Sequence, residues 1–233
     1  MQFIANKFFS AKESYTQHAH IQKIMQDKIL KLLPHNHFSH IFEFGAGTGV
    51  FTQKIIKNLT YEKLTCNDIN DYAKSFAPHI QFLQFDINDI SKHLDQQNFD
   101  LIISNACIQW LDQKKFFTNI QNFSPKDGIL ALGSFGESNL HEIATITKTS
   151  LKYLSLDHYR SLLQPQWKIL HLFEEKIPLS FPTPLDAFKH LKLTGTNSLQ
   201  QNFPLTKKHL QTLKEKFYNT LTYHPIYIIA KKS

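Results

Sequence analysis

A glycine-rich turn after an apolar run is the feature that most restricts the fold of this 233-residue chain. Residues 41–49 read I-F-E-F-G-A-G-T-G, and a second apolar run ends at Asp68, 19 residues after the last glycine. A strand, a glycine turn and a helix start bring backbone N–H groups close to a ligand that a Cβ would exclude. A carboxylate at the end of the next strand can then bind both hydroxyls of a ribose.

The spacing of the glycines excludes two common nucleotide-binding loops. A dinucleotide fingerprint, G-x-G-x-x-G, needs glycine at position 50, where this chain has Val50. A Walker phosphate loop needs G-K-[ST] after the turn, which this chain lacks. Glu43 followed by Gly45-x-Gly47-x-Gly49 instead resembles the S-adenosylmethionine site of class I methyltransferases. Taken alone, the turn also fits any connection between a strand and a helix.

Apolar runs of about five to seven residues alternate with helix-like stretches, which is the pattern of a parallel sheet with crossover helices. We therefore predict an α/β fold with helices on both faces of a seven-stranded, mostly parallel sheet. The resemblance to class I methyltransferases implies that it is of their Rossmann-like type. The predicted strands cover 40–44, 63–68, 80–86, 99–104, 129–134, 167–175 and 223–230. The predicted helices between them cover 49–59, 71–76, 113–123 and 140–153.

The chain length and patterning predict a single domain over 1–233. Its predicted parts are an N-terminal helix over 10–33, a cofactor-binding core over 40–180, a helical insertion over 181–222 and the final strand. No apolar stretch approaches the roughly 20 residues that span a bilayer, and no export signal opens the sequence. Two cysteines fit reduced thiols, so we expect a cytoplasmic protein that binds no membrane.

The net charge of +7 is confined to residues 139–233, since the 13 lysines of residues 1–138 balance 13 acidic residues there. This asymmetry favours an acidic partner, although a lysine-coated solubilising surface would give the same charge. Nucleic acid is not expected, because arginine, the usual reader of bases, is almost absent. His35, His37 and His40 lack a nearby carboxylate or thiol, so we expect a solvated loop and no metal.

Four predicted strand ends carry residues suited to one cofactor, and strand ends of such sheets meet at one edge. The first is Glu43 with the glycine turn, for the amino-acid half. Asp68-Ile69 is suited to the ribose and Asp86-Ile87 to the adenine, while Asn105-Ala106 would lie beside the sulfonium. Each is weak alone, because acidic residues often cap helices. Together they predict S-adenosyl-L-methionine binding by Glu43, Gly45, Ala46, Gly47, Gly49, Asp68, Ile69, Asp86, Ile87, Asn105 and Ala106.

Five stretches carry a more specific resemblance. They are S-Y-T-Q-H-A-H-I-Q at 14–22, I-I-S-N-A-C-I-Q-W at 102–110, L-G-S-F-G-E-S-N-L-H-E at 132–142, H-L-K-L-T-G-T-N at 190–197 and L-T-Y-H-P-I-Y at 221–227. Together they resemble the malonyl-[acyl-carrier protein] O-methyltransferases of biotin synthesis. The resemblance implies methyl transfer to the free carboxylate of a malonyl thioester on acyl carrier protein, which primes pimelate assembly. The near absence of arginine leaves the malonyl-binding residue unassigned.

The expected chemistry needs no general base, because a carboxylic acid with a reference pKa near 4 is already ionised at neutral pH. Catalysis then depends on positioning and on removal of water from the carboxylate. Tyr15 and Trp110 are predicted to form walls and orient the reactants, although both also fit core packing. Tyr15 and Gln22 are further candidates for contact with the cofactor, whose product would be S-adenosyl-L-homocysteine. A surface role for Gln22 is equally compatible with the sequence.

Lysines in the insertion are the predicted docking residues for an acidic carrier, and a monomer is expected. These lysines are Lys189, Lys192, Lys207 and Lys208. Three alternatives remain: a trans-aconitate-type carboxyl methyltransferase, a cofactor-binding protein without transferase activity, and a nucleic-acid methyltransferase. The last is disfavoured because Ser104-Asn105-Ala106-Cys107 stands where the N/D-P-P-Y/W type of motif is expected.

Overall fold

A computed structural model describes residues 19–94, 98–194 and 204–233. Nine strands are present in these ranges. They are β1 (His37–Phe44), β2 (Thr60–Asp68), β3 (Gln81–Gln84), β4 (Leu101–Asn105), β5 (Ile129–Phe135), β6 (Trp167–Glu174), β7 (Ile177–Ser180), β8 (Thr220–Tyr223) and β9 (Pro225–Lys232). Seven form one sheet in the order β3-β2-β1-β4-β5-β9-β6, and β7 pairs with β8 in a separate ladder. Strands β1 to β5 are parallel, whereas β9 runs antiparallel to both of its neighbours.

Helices cover both faces of the large sheet. They are α1 (His20–Leu32), α2 (Val50–Asn58), α3 (Ile90–His93), α4 (Gln113–Ile120), α5 (His141–Thr147), α6 (Leu156–Leu163), α7 (Pro184–Leu193) and α8 (Lys207–Phe217). Polar side chains fix several helix starts: Ser155 accepts a backbone N–H at the start of α6, and Thr183 and Thr206 do so for α7 and α8. No helix within the three described ranges is long and apolar enough to cross a membrane.

The period-two alternation of the strands divides the core into two layers. On β1, Ile41 packs into the layer under α1 and α2, whereas Phe42 belongs to the layer under α4 and α6. Met25 and Ile29 of α1 are completely buried in the first layer. Helix α1 therefore packs on one face of the sheet, against β4, β5 and β9.

The predicted fold class is confirmed, and all seven predicted strands of the large sheet are present. The final strand covers Pro225–Lys232 and not 223–230, because Tyr223 ends β8, which pairs with β7 instead. The helix predicted over 140–153 ends at Thr147, where Lys148 adopts a left-handed conformation (φ +59°). The stretch predicted as helix over 71–76 forms only a short 3₁₀ turn, and α6 was not predicted. Residues 10–18 of the predicted N-terminal helix lie outside the described residues.

The insertion is anchored to the segment that follows β5. The buried carboxylate of Glu142 accepts hydrogen bonds from the Thr222 backbone N–H (3.0 Å) and hydroxyl (2.5 Å). The Gly136 N–H donates to the His224 carbonyl (2.8 Å), and the Phe181 N–H donates to the Asn219 carbonyl (3.0 Å). Because residue 219 follows α8 and residue 181 precedes α7, the C-terminal end of α8 lies beside the start of α7.

Candidate functional site

One cavity lies at the carboxyl ends of β1, β2 and β4, near the point where the strand order reverses. Eleven of the predicted site residues line it together: Glu43, Gly45, Ala46, Gly47, Asp68, Ile69, Asp86, Ile87, Asn105, Ala106 and Trp110. The strand ends therefore converge as the sequence pattern predicted.

The glycine turn needs glycine for two different reasons. Gly45 has φ +65°, and a Cβ there would lie 2.5 Å from Sγ of Cys107. Gly47 has φ +54°, and a Cβ there would meet no atom within 4 Å. Since Gly47 lines the cavity, its missing side chain leaves that space to a ligand. The backbone is held by two bonds, from the Ala46 N–H to the Asn67 carbonyl (3.0 Å) and from the Gly47 N–H to Asp68 Oδ2 (3.0 Å).

Glu43 is a completely enclosed carboxyl group at the end of β1, with 1% of its surface exposed. Burial raises the pKa of Glu43 to about 8, against hydrogen bonds from Thr52 and Cys66 that favour the ionised form. The Thr52 hydroxyl donates to Oε2 over 2.6 Å. In the ligand-free protein Glu43 is therefore largely protonated at pH 7, and a cationic ligand group beside it would favour ionisation.

Asp68 connects the end of β2 to the glycine turn. In addition to the Gly47 N–H, it accepts the Asn70 N–H on Oδ1 (2.9 Å). Burial raises the pKa of Asp68, while these backbone bonds oppose that shift. The buried Tyr72 also lines the cavity, and burial together with the Asp68 charge raises its pKa to about 12. The ribose-binding candidate is thus fixed in place by the backbone around it.

Asp86 follows β3 and begins a 3₁₀ turn over Ile87–Asp89. Its Oδ1 accepts both the backbone N–H and the side-chain amide of Asn88, each over 3.0 Å. The carboxyl group therefore caps this turn, as strand-end acids often do, and also lines the cavity. Ile87 is buried beside it.

The segment after β4 connects the cavity to α1. The Asn105 side-chain amide donates to the Gln22 carbonyl of α1 (3.1 Å). Ala106 has φ +55°, and its N–H donates to the Gly133 carbonyl (2.9 Å). Trp110 closes a 3₁₀ turn and reaches the cavity wall. A hydrogen bond thus links helix α1 to the segment after β4 that lines the cavity.

Of the remaining predicted cofactor residues, Gly49 and Gln22 do not line the cavity. Gly49 (φ +84°) precedes α2, and Gln22 is buried in α1. Tyr15 lies outside the described residues. One turn after Gln22, Gln26 lines the cavity instead. The 3.6-residue period of α1 could have indicated Gln26, because positions i and i+4 share a helix face. Other wall residues missed by sequence reasoning are Thr48, Val50, Phe51, Asn67, Asn70, Tyr72, Cys107 and Leu111.

The cavity wall is acidic. Glu43, Asp68 and Asp86 line it, and no Lys, Arg or His within 19–94, 98–194 and 204–233 does. Over the same ranges, no cluster of three or more His, Cys, Asp and Glu side chains could hold a metal ion. Of the three histidines predicted to lie in a solvated loop, His37 and His40 belong to β1 instead, and the partly buried His40 ring bonds to the Thr65 hydroxyl (2.9 Å). Such a wall suits a cationic ligand with hydrogen-bond donors.

A second surface lies on the insertion, away from the cavity wall. Its exposed lysines are Lys189, Lys192, Lys207, Lys208, Lys214 and Lys216. None of the six forms an ion pair with a carboxylate in the part of the chain that the structure describes. The exposed large hydrophobic residues among the described ones also lie here: Leu185 (59% exposed), Leu205 (40%) and Tyr218 (81%). Lysines around exposed apolar side chains are typical of a protein-binding surface.

Comparisons with known proteins agree with this site. A family model described as a methyltransferase domain matches residues 42–132, which include all four strand ends. The YcgJ protein from Bacillus subtilis has a similar fold (TM-score 0.66, 13% identity, covering 90% of this chain and 98% of that one). The N-methyltransferase NodS from Bradyrhizobium japonicum, solved in complex with S-adenosyl-L-homocysteine, is also similar (TM-score 0.53, 13% identity, 90% and 86%). The fold and site therefore define a class I methyltransferase.

Relatives that align over almost the whole chain show to which methyltransferase family it belongs. A malonyl-[acyl-carrier protein] O-methyltransferase from Calditerrivibrio nitroreducens is 35% identical over 98% of this chain and 96% of its own length. A protein of the same name from Bacteroides helcogenes is 34% identical over 99% of this chain and 98% of its own length. The chain belongs to the malonyl-[acyl-carrier protein] O-methyltransferase family.

Proposed function

We propose that this chain transfers the methyl group of S-adenosyl-L-methionine to the free carboxylate of a malonyl thioester on acyl carrier protein. The observation that carries the proposal is the extent of the similarity to the named relatives, which covers 98–99% of the chain. It therefore includes the basic insertion as well as the cofactor core. The product would be the malonyl methyl ester, which suits priming of pimelate and biotin synthesis in the cytoplasm.

The cavity residues fit the proposed cofactor part by part. Glu43 offers a carboxylate to the α-ammonium group of the amino-acid half, and the open space over Gly47 would admit that half. Asp68 would bind the ribose hydroxyls, and Asp86 with Ile87 would bind the adenine. Asn105 and Ala106 would lie beside the sulfonium. An acidic wall without a described cation suits a ligand with a positive sulfur and an ammonium group.

When bound, the cofactor supplies a methyl group on a positively charged sulfur, which leaves as a neutral thioether. The chain's own residues then have to position the acceptor oxygen in line with that methyl group and exclude water. Trp110 is proposed to form one wall of this space and Tyr15 to orient the reactants. No residue has to move a proton, because the acceptor carboxylate is already ionised.

The test of the proposed function offers S-adenosyl-L-methionine together with malonyl-carrier protein, malonyl-CoA or trans-aconitate in parallel assays. We expect methyl-ester formation on the malonyl group, with carrier protein as the better substrate, measured by mass spectrometry of the product. Turnover of trans-aconitate alone would establish the alternative carboxyl methyltransferase. Cofactor binding without turnover of any acceptor would favour a non-catalytic role.

The second part of the proposal is that the lysine surface of the insertion binds the acidic carrier. Charge reversal of Lys189, Lys192, Lys207 and Lys208 to glutamate is expected to raise KM for malonyl-carrier protein about 10- to 100-fold, because it replaces attraction by repulsion. The turnover of malonyl-CoA and the affinity for the cofactor should stay unchanged. The effect should shrink at high ionic strength, where exposed charges are screened.

A matched variant separates docking from net charge. Lys31, Lys57, Lys114 and Lys126 are exposed lysines outside the insertion, and their reversal changes the net charge by the same amount. We expect this variant to use malonyl-carrier protein nearly as well as the unsubstituted protein. Equal KM increases in the two variants would show a general charge effect and would contradict a docking role for the insertion.

A further inference from the structure

We infer that Gln26 of α1 binds the α-ammonium group of the cofactor. This role rests on the proposed function. Gln26 is 7% exposed, and its side chain lines the cavity. Its Oε1 atom is buried without a hydrogen-bond partner among residues 19–94, 98–194 and 204–233. A buried acceptor that is left unpaired destabilises the folded protein, so a ligand donor that reaches it binds favourably.

The position of α1 indicates which half of the cofactor Gln26 would meet. Helix α1 packs against α2, β4, β5 and β9, and the Asn105 amide donates to the Gln22 carbonyl, one turn before Gln26. Gln26 therefore approaches the cavity from the side of β4 and of α2, the helix that follows Glu43 and the glycine turn. Asp68 and Asp86, the candidates for ribose and adenine, are on β2 and after β3 at the other end.

The side chains of the cavity wall favour the α-ammonium group of the cofactor over its carboxylate as the partner of Gln26. Glu43 and Gln26 present oxygen atoms at this end of the cavity, and no described Lys, Arg or His lines it. An ammonium group has three N–H donors and can satisfy several such oxygens at once. The carboxylate of the amino-acid half would instead have to accept from the Gln26 side-chain NH₂, which gives a second, distinguishable geometry.

The experiment measures binding of S-adenosyl-L-homocysteine to the full chain by calorimetry, together with thermal unfolding of the ligand-free protein. Gln26→Leu keeps the size of the side chain and removes its polar atoms. We expect its affinity to fall about 10- to 100-fold, as for loss of a hydrogen bond to a charged group. Its unfolding midpoint should not fall, since the variant also removes an unpaired buried oxygen.

Two further ligand and variant combinations locate the contact. Gln26→Glu keeps an acceptor oxygen and should bind S-adenosyl-L-homocysteine more tightly than Gln26→Leu. 5′-Methylthioadenosine lacks the amino-acid half, so Gln26→Leu and the unsubstituted protein should bind it equally. The control is Gln113→Leu: Gln113 Oε1 is also buried and unpaired, but Gln113 starts α4 on the opposite face of the sheet. This control should leave the affinity unchanged.

Three outcomes would overturn the inference. Equal weakening of 5′-methylthioadenosine by Gln26→Leu would place the contact on the nucleoside half. A loss in Gln26→Glu as large as in Gln26→Leu would show that the side chain donates to the carboxylate. Unchanged affinity in Gln26→Leu would remove the role altogether. These results leave the proposed function intact, whereas failure of the unsubstituted protein to bind S-adenosyl-L-homocysteine would overturn both.

Discussion

Replacement of Gly45 by alanine is expected to lower the free energy of unfolding by about 3 kcal/mol and to abolish detectable cofactor binding. The backbone conformation at φ +65° costs a residue with a Cβ about 1–2 kcal/mol. The new Cβ would also lie 2.5 Å from Sγ and 2.7 Å from Cβ of Cys107, and such overpacking costs about 1–3 kcal/mol. Relief of the overlap must move the turn away from the end of β4. Urea denaturation and calorimetric titration with S-adenosyl-L-homocysteine measure the two effects.

Gly47→Ala is the matched control for this substitution. Its φ of +54° gives similar backbone strain, but the new Cβ would meet no protein atom within 4 Å. We expect a loss of only about 1–2 kcal/mol in the free energy of unfolding. If both variants were destabilised equally, the contact between Gly45 and Cys107 would not be what requires glycine.

Replacement of Glu43 by glutamine is expected to stabilise the ligand-free protein at alkaline pH. The folded-state pKa of about 8 exceeds the reference value of 4.5, so the folded protein retains a proton that the unfolded chain releases. Stability from this group is therefore full below pH 4.5 and is lost as the pH rises through 8. At pH 9 the unsubstituted protein should be less stable than the variant by roughly 4 kcal/mol. The two should be nearly equal at pH 5, as chemical denaturation at both pH values can show.

The same substitution should weaken cofactor binding about 10- to 100-fold, because it removes a charged acceptor for the α-ammonium group of the amino-acid half. Glu142→Gln is the contrasting variant, because it changes a buried glutamate but is expected to destabilise the protein. Glu142 accepts two hydrogen bonds from Thr222, so the variant should lose about 1–2 kcal/mol of stability. Denaturation curves of Glu43→Gln that ran parallel to those of the unsubstituted protein across pH 5–9 would contradict the buried-charge argument.

The large sheet was predictable because its strands are marked locally. β4 and β5 are short apolar runs buried along almost their whole length, as strands covered on both faces are. The β7–β8 ladder was missed because each strand has only four residues and pairs with a partner about 40 residues away. Pairing across such a distance depends on the tertiary structure, which no local pattern records.

The functional site likewise contains residues that a local sequence pattern predicts and residues that depend on the tertiary structure. Glu43, Asp68, Asp86 and Asn105 follow strands, so the topology brings them to one edge, and the sequence order predicts their convergence. Gln26 reaches the cavity only because α1 crosses the sheet above β4 and β5. Lysines of the insertion were predictable as charged, but Leu185 and Tyr218 were not predictable as exposed apolar residues. Their exposure depends on how α7 and α8 pack against each other.

The antiparallel strand β9 lies between β5 and β6 in the large sheet. Its residues, Pro225–Lys232, follow all the other described strands in the chain, yet they occupy an interior position. During synthesis, β6 has no neighbour in this sheet until β9 emerges. A nascent chain that still lacks residues 225–232 would therefore leave strand edges open to pairing with other chains. The large sheet can therefore be completed only after β9 has been synthesised.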